Sequence, residues 1–227
     1  MKKVRVWDLP LRLFHWILAI LIVVAVVTQN IGGNALEWHF RAGYAVLTLL
    51  LFRLLWGFLG TRYARFASFI YGPSTIVGYL RGRKDGDGRT RHVAGHNPLG
   101  ALSVFAMLGI LLMQAVSGMM ANDDIASEGP LAKFINKDLS DQLTWLHAEV
   151  GSLLIYVLVG LHVLAILFYR VVRRKRLAAA MITGDQEVEA EAPAANDSWG
   201  MRLFAGLLLS ACAGFVYYLV TLPPKAF

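Results

Sequence analysis

Four histidines stand out by type and position: His15 in LFHW, His39 in WHFRAGY, His147 in WLHAEVG and His162 in GLHVLAILFY, each in or at the end of a long apolar stretch. An ionisable side chain inside a bilayer is costly, so it is rare and generally faces a bundle interior for a functional reason. Imidazole suits iron, and two imidazoles facing each other between apolar walls make a site for iron in a porphyrin. Cys212 is the lone cysteine, which rules out a C-x-x-C-H attachment for covalent haem, an iron–sulfur ligand set and a disulfide framework. Zinc is disfavoured because each pair of histidines lacks a third and fourth ligand on the matching faces. The competing account of any one membrane histidine is a hydrogen bond to a neighbouring helix.

Helices must carry these side chains. The 227 residues are 57% hydrophobic with a mean hydropathy of +0.54, above the roughly 45–50% apolar share of a soluble domain. Leu11 to Val27, Tyr44 to Leu59, Leu99 to Met120, Val150 to Tyr169 and Leu203 to Val220 each approach the ~20 apolar residues that a ~30 Å bilayer core demands. Lys2, Lys3 and Arg5 before the first run give it the look of a signal peptide. The run is long, carries His15 and Trp16 and ends in Thr28-Gln29-Asn30 without an A-x-A site, so it is expected to be retained. The expected fold is all-α: an integral membrane four-helix bundle holding haem, over residues 1–183, plus a fifth C-terminal transmembrane helix over 199–227. Residues 184–198, rich in Glu, Ala, Asp and Pro, read as a flexible cytoplasmic linker. The fifth helix, without an ionisable residue beyond Arg202 at its entrance, reads as an anchor or packing appendage.

A net charge of +7 does not indicate nucleic acid, because the basic residues flank the spans. Lys2, Lys3, Arg5 and Arg12 precede the first span. Arg62, Arg65, Arg81, Arg83, Lys84, Arg89 and Arg91 follow the second, and Arg170, Arg173, Arg174, Lys175 and Arg176 follow the fourth. All three clusters fall on one side. The opposite loops carry only Arg41, Lys133, Lys137 and Lys225, and Asp123, Asp124, Glu128, Asp138 and Asp141 make the 121–142 loop acidic. By the positive-inside rule the N-terminus is cytoplasmic and the C-terminus outside. Residues 61–96, with Gly82, Gly86 and Gly88 among their charges, read as an exposed loop.

That orientation sets depths. His15 lies in the inner leaflet, His39 and His147 near the outer edge and His162 deeper. His147 and His162 are fifteen residues apart, about 22 Å along a regular helix and roughly 60° apart in phase. Pairing by depth joins His39 with His147 and His15 with His162, enough for two haems. Gly43 and Gly151 each follow a histidine by four residues, on the same helix face, where a missing side chain would let a flat ring approach the backbone. Arg53 follows His39 by fourteen residues and comes to the inner haem's level, to pair with propionates or a quinone oxygen or else to snorkel to the inner interface. His96, in GHNPLG, precedes the third span, where Asn97 can cap the helix and Pro98 suits its first position. His96 is also a candidate proton carrier for a quinone. His92 reads as a loop residue, and Met119 and Met120 as packing.

VWDLPLRLFHW, WHFRAGY with LFRLLWG, GHNPLG, and LHAEVG followed by GLHVLAILFY, in that order over about residues 1–183, resemble the bacterial cytochrome b561 family, which includes the cytochrome b subunits of nickel–iron hydrogenases. The resemblance implies a four-helix bundle with two b haems, held by bis-histidine ligation through His15, His39, His147 and His162. It also implies electron exchange with quinones, ubiquinone or menaquinone being the candidates, and a place in the bacterial inner (plasma) membrane. The leading functional expectation is electron transfer between the quinone pool and a redox partner on the periplasmic side, such as a soluble cytochrome docking at the acidic 121–142 loop. The alternatives are a superoxide oxidase, with Arg41 and Lys133 steering the anion, a membrane anchor subunit of a hydrogenase or related dehydrogenase, and a redox-silent transporter or scaffold.

Overall fold

The computed structural model describes residues 2–81, 94–124, 127–188 and 192–223. Arg83, Lys84, Arg89, Arg91, His92, Lys225 and the glycines Gly82, Gly86 and Gly88 lie outside them. In chain order come β1 (Lys2–Arg5), α1 (Leu9–Ile31), α2 (Leu36–Leu59), α3 (Pro73–Leu80), α4 (Pro98–Met119), α5 (Lys137–Trp145), a π-helical turn (Leu146–Gly151), α6 (Ser152–Val171), α7 (Leu177–Thr183), β2 (Asp185–Val188) and α8 (Trp199–Thr221). Among the described residues five segments are long and apolar enough to cross a membrane: Leu9–Ile31, Gly33–Leu59, Pro98–Met119, Lys137–Val171 and Trp199–Thr221. The protein is all-α in its membrane part, as the hydropathy pattern requires. Two compact units make up the chain: Met1–Leu13 with Leu54–Ala106 and Leu161–Ala205, and Phe14–Arg53 with Met107–Gly160 and Gly206–Phe227.

In the first unit the start of α1 is set by Asp8. Its Oδ1 accepts the Leu11 amide at 2.7 Å, an N-cap on the third residue of the helix, and Pro10 tolerates the first turn because its missing N–H has no intrahelical partner there. Its Oδ2 accepts the Thr61 hydroxyl at 2.5 Å and the Trp56 indole N–H at 3.3 Å. The residue is only 1% exposed. Burial pushes the carboxyl up from its ordinary range, and the bonds from Thr61, Leu11 and Trp56 pull it part of the way back. Asp8→Ala removes the cap and leaves two buried donors unmatched, so it is expected to cost on the order of 3 kcal/mol. Thermal unfolding in detergent would show the loss, whereas Asp8→Asn, which keeps the cap, should lose less.

Two expectations are corrected in this unit. Residues 184–198 carry ordered structure within the described part, because β2 pairs antiparallel with β1, Lys2 opposite Val188 and Arg5 opposite Asp185. Arg5 donates to Asp185 at 2.7 Å and to Asp197 at 2.9 Å, Arg202 closes on Asp197 at 3.1 Å, and the Tyr63 hydroxyl donates to the Pro193 carbonyl at 2.7 Å. Burial alone would raise the Asp197 carboxyl, but Arg202, the Leu9 amide and Arg5 hold it below its ordinary range. Gly184 ends α7 at φ 89°, and a Cβ there would lie 2.7 Å from the Trp7 carbonyl oxygen, so glycine alone fits the approach of the N-terminal strand. Nor is 61–96 simply an exposed loop. Tyr63, Ala64, Phe66 and Phe69 are buried, and α3 comes after them, because an aromatic cluster with Phe105 gives the segment its own apolar contacts.

In the second unit α8 is no loose appendage. Val216 is buried with Leu47 and Met119, with Tyr44, Ala115 and Leu219 packed against them, and Lys133 donates to the Leu222 carbonyl just beyond the helix end. This is the packing role expected of the fifth helix, and of Met119.

Candidate cofactor site between His39 and His147

His39 in the first turns of α2 and His147 in the π-helical turn come together in the second unit, their ring centroids 5.9 Å apart and their planes nearly perpendicular. His39 Nδ1 lies 2.8 Å from the Ala25 carbonyl oxygen of α1, and His147 Nδ1 lies 2.9 Å from the Gln114 carbonyl oxygen of α4. A carbonyl oxygen only accepts, so Nδ1 is the donor in both rings, and in the neutral ring this puts the lone pair on Nε2. That is the tautomer a metal-binding imidazole requires, set by second partners.

The two rings line a cavity of about 390 Å³, within the roughly 300–1,000 Å³ of cofactor and ligand pockets. Its walls are largely apolar, with Ile22, Val26, Phe40, Val46, Leu111 and Ile155 among them, and Gln29, Asn122, Ser127 and Thr144 supply polar groups. Gly43 lines the cavity, and a Cβ at that position would meet no atom within 4 Å. The backbone there is open, on the cavity wall one helical turn from His39. Gly118 also lines the cavity, and its Cβ would stand 2.6 Å from His147 Cε1. No close-approach role for Gly118 is evident from sequence, although it lies one turn beyond Gln114, the single amide in an otherwise apolar span.

The other candidates fall elsewhere. Gly151 is not among the residues lining the cavity; its α-carbon abuts the Gln114 side chain, where a Cβ would come within 1.8 Å of Oε1. The cause is the π-helical turn over Leu146–Gly151, which takes one residue more than an α-turn and rotates the rest of the helix by about 100°. The straight-helix phase relating His147 to His162 therefore does not carry through. His15, half-buried on α1, meets Trp16 edge-on at 5.1 Å, and His162 lies half-buried on α6. Arg53 is 2% exposed. His96 sits between Trp7, edge-on at 4.7 Å, and Phe69 at 4.4 Å. Asn97 caps α4 as its position predicts, its Oδ1 accepting the Gly100 amide at 2.7 Å, with Pro98 in first place. Beside it the Asn97 amide donates to the Tyr169 hydroxyl at 3.3 Å, which lies 2.9 Å from the Tyr79 hydroxyl. Burial and the Tyr169 bond push Tyr79 up to about 12.

A family model described as prokaryotic cytochrome b561 matches residues 6–184. The chain belongs to the prokaryotic cytochrome b561 family. A protein of Azotobacter vinelandii described as a probable Ni/Fe-hydrogenase B-type cytochrome subunit is 26% identical over 215 residues, covering 80% of this chain and 87% of the relative. Relatives of the same description in Azotobacter chroococcum mcd 1 and Rhodobacter capsulatus are 27% identical over 216 residues, at 80% of this chain and 87% of the relative, and 26% over 214, at 80% of each. No solved structure matches the chain. As a b561 cytochrome it is a multi-pass membrane protein of electron transport that binds haem b. The His39 and His147 donor set fits such a group on geometry alone: two imidazoles each tied at Nδ1 to a carbonyl, which leaves Nε2 as the ligating atom, with largely apolar walls and an open backbone at Gly43.

Proposed function

We propose that this b561 cytochrome is the membrane electron-transfer subunit of a dehydrogenase complex, holding two b haems and exchanging electrons between the quinone pool and a partner on the outer face. The observation that carries this reading is the His39 and His147 pair, two imidazoles in the metal-binding tautomer on one cavity. In this reading they would hold the iron of the outer haem, and His15 and His162, matched in depth along the sequence alone, are proposed for the inner. Haem b, when bound, supplies a one-electron iron couple inside a water-poor bundle. The carbonyls of Ala25 and Gln114 keep the ring protons on Nδ1, and Gly43 leaves the backbone open.

The relatives' description as Ni/Fe-hydrogenase subunits favours a hydrogenase-class partner over a soluble cytochrome. The outer loop supports the same choice. Lys137 bridges Asp124 at 2.6 Å and Asp141 at 3.0 Å, offsetting part of the negative charge that would steer a basic cytochrome. The positive-inside pattern supports a periplasmic position for this loop, with the N-terminus cytoplasmic and the C-terminus periplasmic. On the inner side, His96 is the group proposed to move the quinone's proton, and Arg53 separately a partner for a haem propionate or a quinone oxygen.

The reading is tested by purifying the protein in lipid nanodiscs, counting haem by pyridine haemochrome, and mixing it with quinol. Two b haems per chain, reduced by quinol, and co-purification with an iron–sulfur dehydrogenase are expected; colourless protein would overturn the proposal. His96→Gln should slow quinol-driven haem reduction on the order of a hundredfold, as loss of a general acid–base group does, with haem content unchanged. An unaltered rate would remove His96 from the quinone site.

A further inference from the structure

Gln114 holds His147 at two points. Its carbonyl oxygen accepts the ring's Nδ1–H at 2.9 Å, and its side-chain amide donates to the His147 carbonyl oxygen at 2.9 Å. One residue of α4 therefore ties both the imidazole and the main chain from which it projects. The second bond matters because His147 lies in the π-helical turn, where a widened ladder displaces carbonyls from regular i→i−4 partners. The next carbonyl is also met by a side chain, since the Ser152 hydroxyl donates to the Ala148 carbonyl oxygen at 2.5 Å.

The Gln114 side chain reaches this position only across Gly151. A Cβ on Gly151 would lie 1.8 Å from Gln114 Oε1 and 3.0 Å from its Cδ, far inside contact distance, and Gly151 is itself buried. Gln114 Oε1 is buried and accepts no hydrogen bond from the described residues. An amide chosen only to satisfy itself would not sit there, because an unmatched buried acceptor costs about 1–3 kcal/mol. The cost is borne where the amide's other end secures the His147 carbonyl.

We propose that Gln114 is a positioning residue for His147, locking the π-helical turn that presents the ring, and that Gly151 is glycine in order to admit the Gln114 side chain. This role rests on the reading of His147 as an axial ligand of the outer haem. Gln114 has no need to touch the cofactor. It sets the azimuth and tilt of the ligand ring, and so the strength and potential of the bond the ring makes; outer partners of metal-bound histidines typically change affinity by about 10–100-fold.

The test compares the full-length protein with Gln114→Met, which keeps the volume and drops the donor, Gly151→Ala, the double variant and His147→Ala. Haem retention during dilution, midpoint potentials by redox titration and the low-spin ferric resonance signals are read for each. Gln114→Met and Gly151→Ala are each expected to speed the loss of one haem about tenfold, to shift its midpoint potential alone and to change its resonance signal, with the other haem unmoved. The double variant should go no further than the larger single effect, since both substitutions break one contact. Unchanged retention and potential in Gln114→Met, or effects of the two singles that add, would overturn the positioning role. Full haem content in His147→Ala would instead overturn the ligand assignment on which it rests.

Discussion

Replacing His147 by alanine is expected to halve the haem content of the purified protein, and replacing His39 should remove the same haem. The two rings stand on one cavity at 5.9 Å, and each is held by its own carbonyl, Ala25 for His39 and Gln114 for His147. Losing either would leave a bound iron with one imidazole from this pair, in a largely apolar pocket where no other histidine among the described residues lines the wall. The double variant should therefore lose no more than either single. His15→Ala and His162→Ala are expected to remove the second haem as a matched pair. Pyridine haemochrome counts and reduced-minus-oxidised spectra of the four variants read this directly. If His39→Ala and His147→Ala took away different haems, so that the double variant were colourless, the pairing would be wrong.

Gly118→Val is expected to empty the same pocket without disturbing membrane insertion. A Cβ at Gly118 would lie 2.6 Å from His147 Cε1 and 2.8 Å from Nδ1. The ring cannot simply move aside, because Nδ1 is tied to the Gln114 carbonyl and the main chain to the Gln114 amide. Either the ring turns and gives up its orienting bond, or α4 and the π-helical turn separate; overpacking of this kind costs about 1–3 kcal/mol. Loss of one haem with normal expression is the expected result. Gly109→Val, on the same helix with nothing within 4 Å of its Cβ position, is the control and should keep its full haem content. A Gly118→Val protein with both haems would show that the ring has freedom that these contacts deny it.

Much of this was legible from the residues. A histidine in an apolar run is expensive unless it faces an interior partner, so His39 and His147 declared themselves and their shared depth paired them. Gly43 followed from helical spacing alone, because one turn of α2 separates it from His39 and α2 is regular over that stretch. Asn97 and Pro98 announced the start of α4 by local chemistry that needs no distant partner.

The features that failed to read were those that depend on residues far apart. β1 and β2 pair across some 180 positions of sequence, and neither four-residue strand carries an alternation that would mark it. Asp8 looked like part of a motif and proved to be a buried cap satisfied by Thr61 and Trp56. Gly151 has the same spacing from His147 as Gly43 has from His39, yet it serves Gln114 and not the cavity. Sequence by itself determined the five apolar helices, the family and the histidines, because each rests on transfer cost and on the 3.6-residue period, which are local properties of the chain. Tertiary structure alone decided the π-helical turn and with it the direction of His147, because a widened turn is held by an amide thirty-three residues away on another helix.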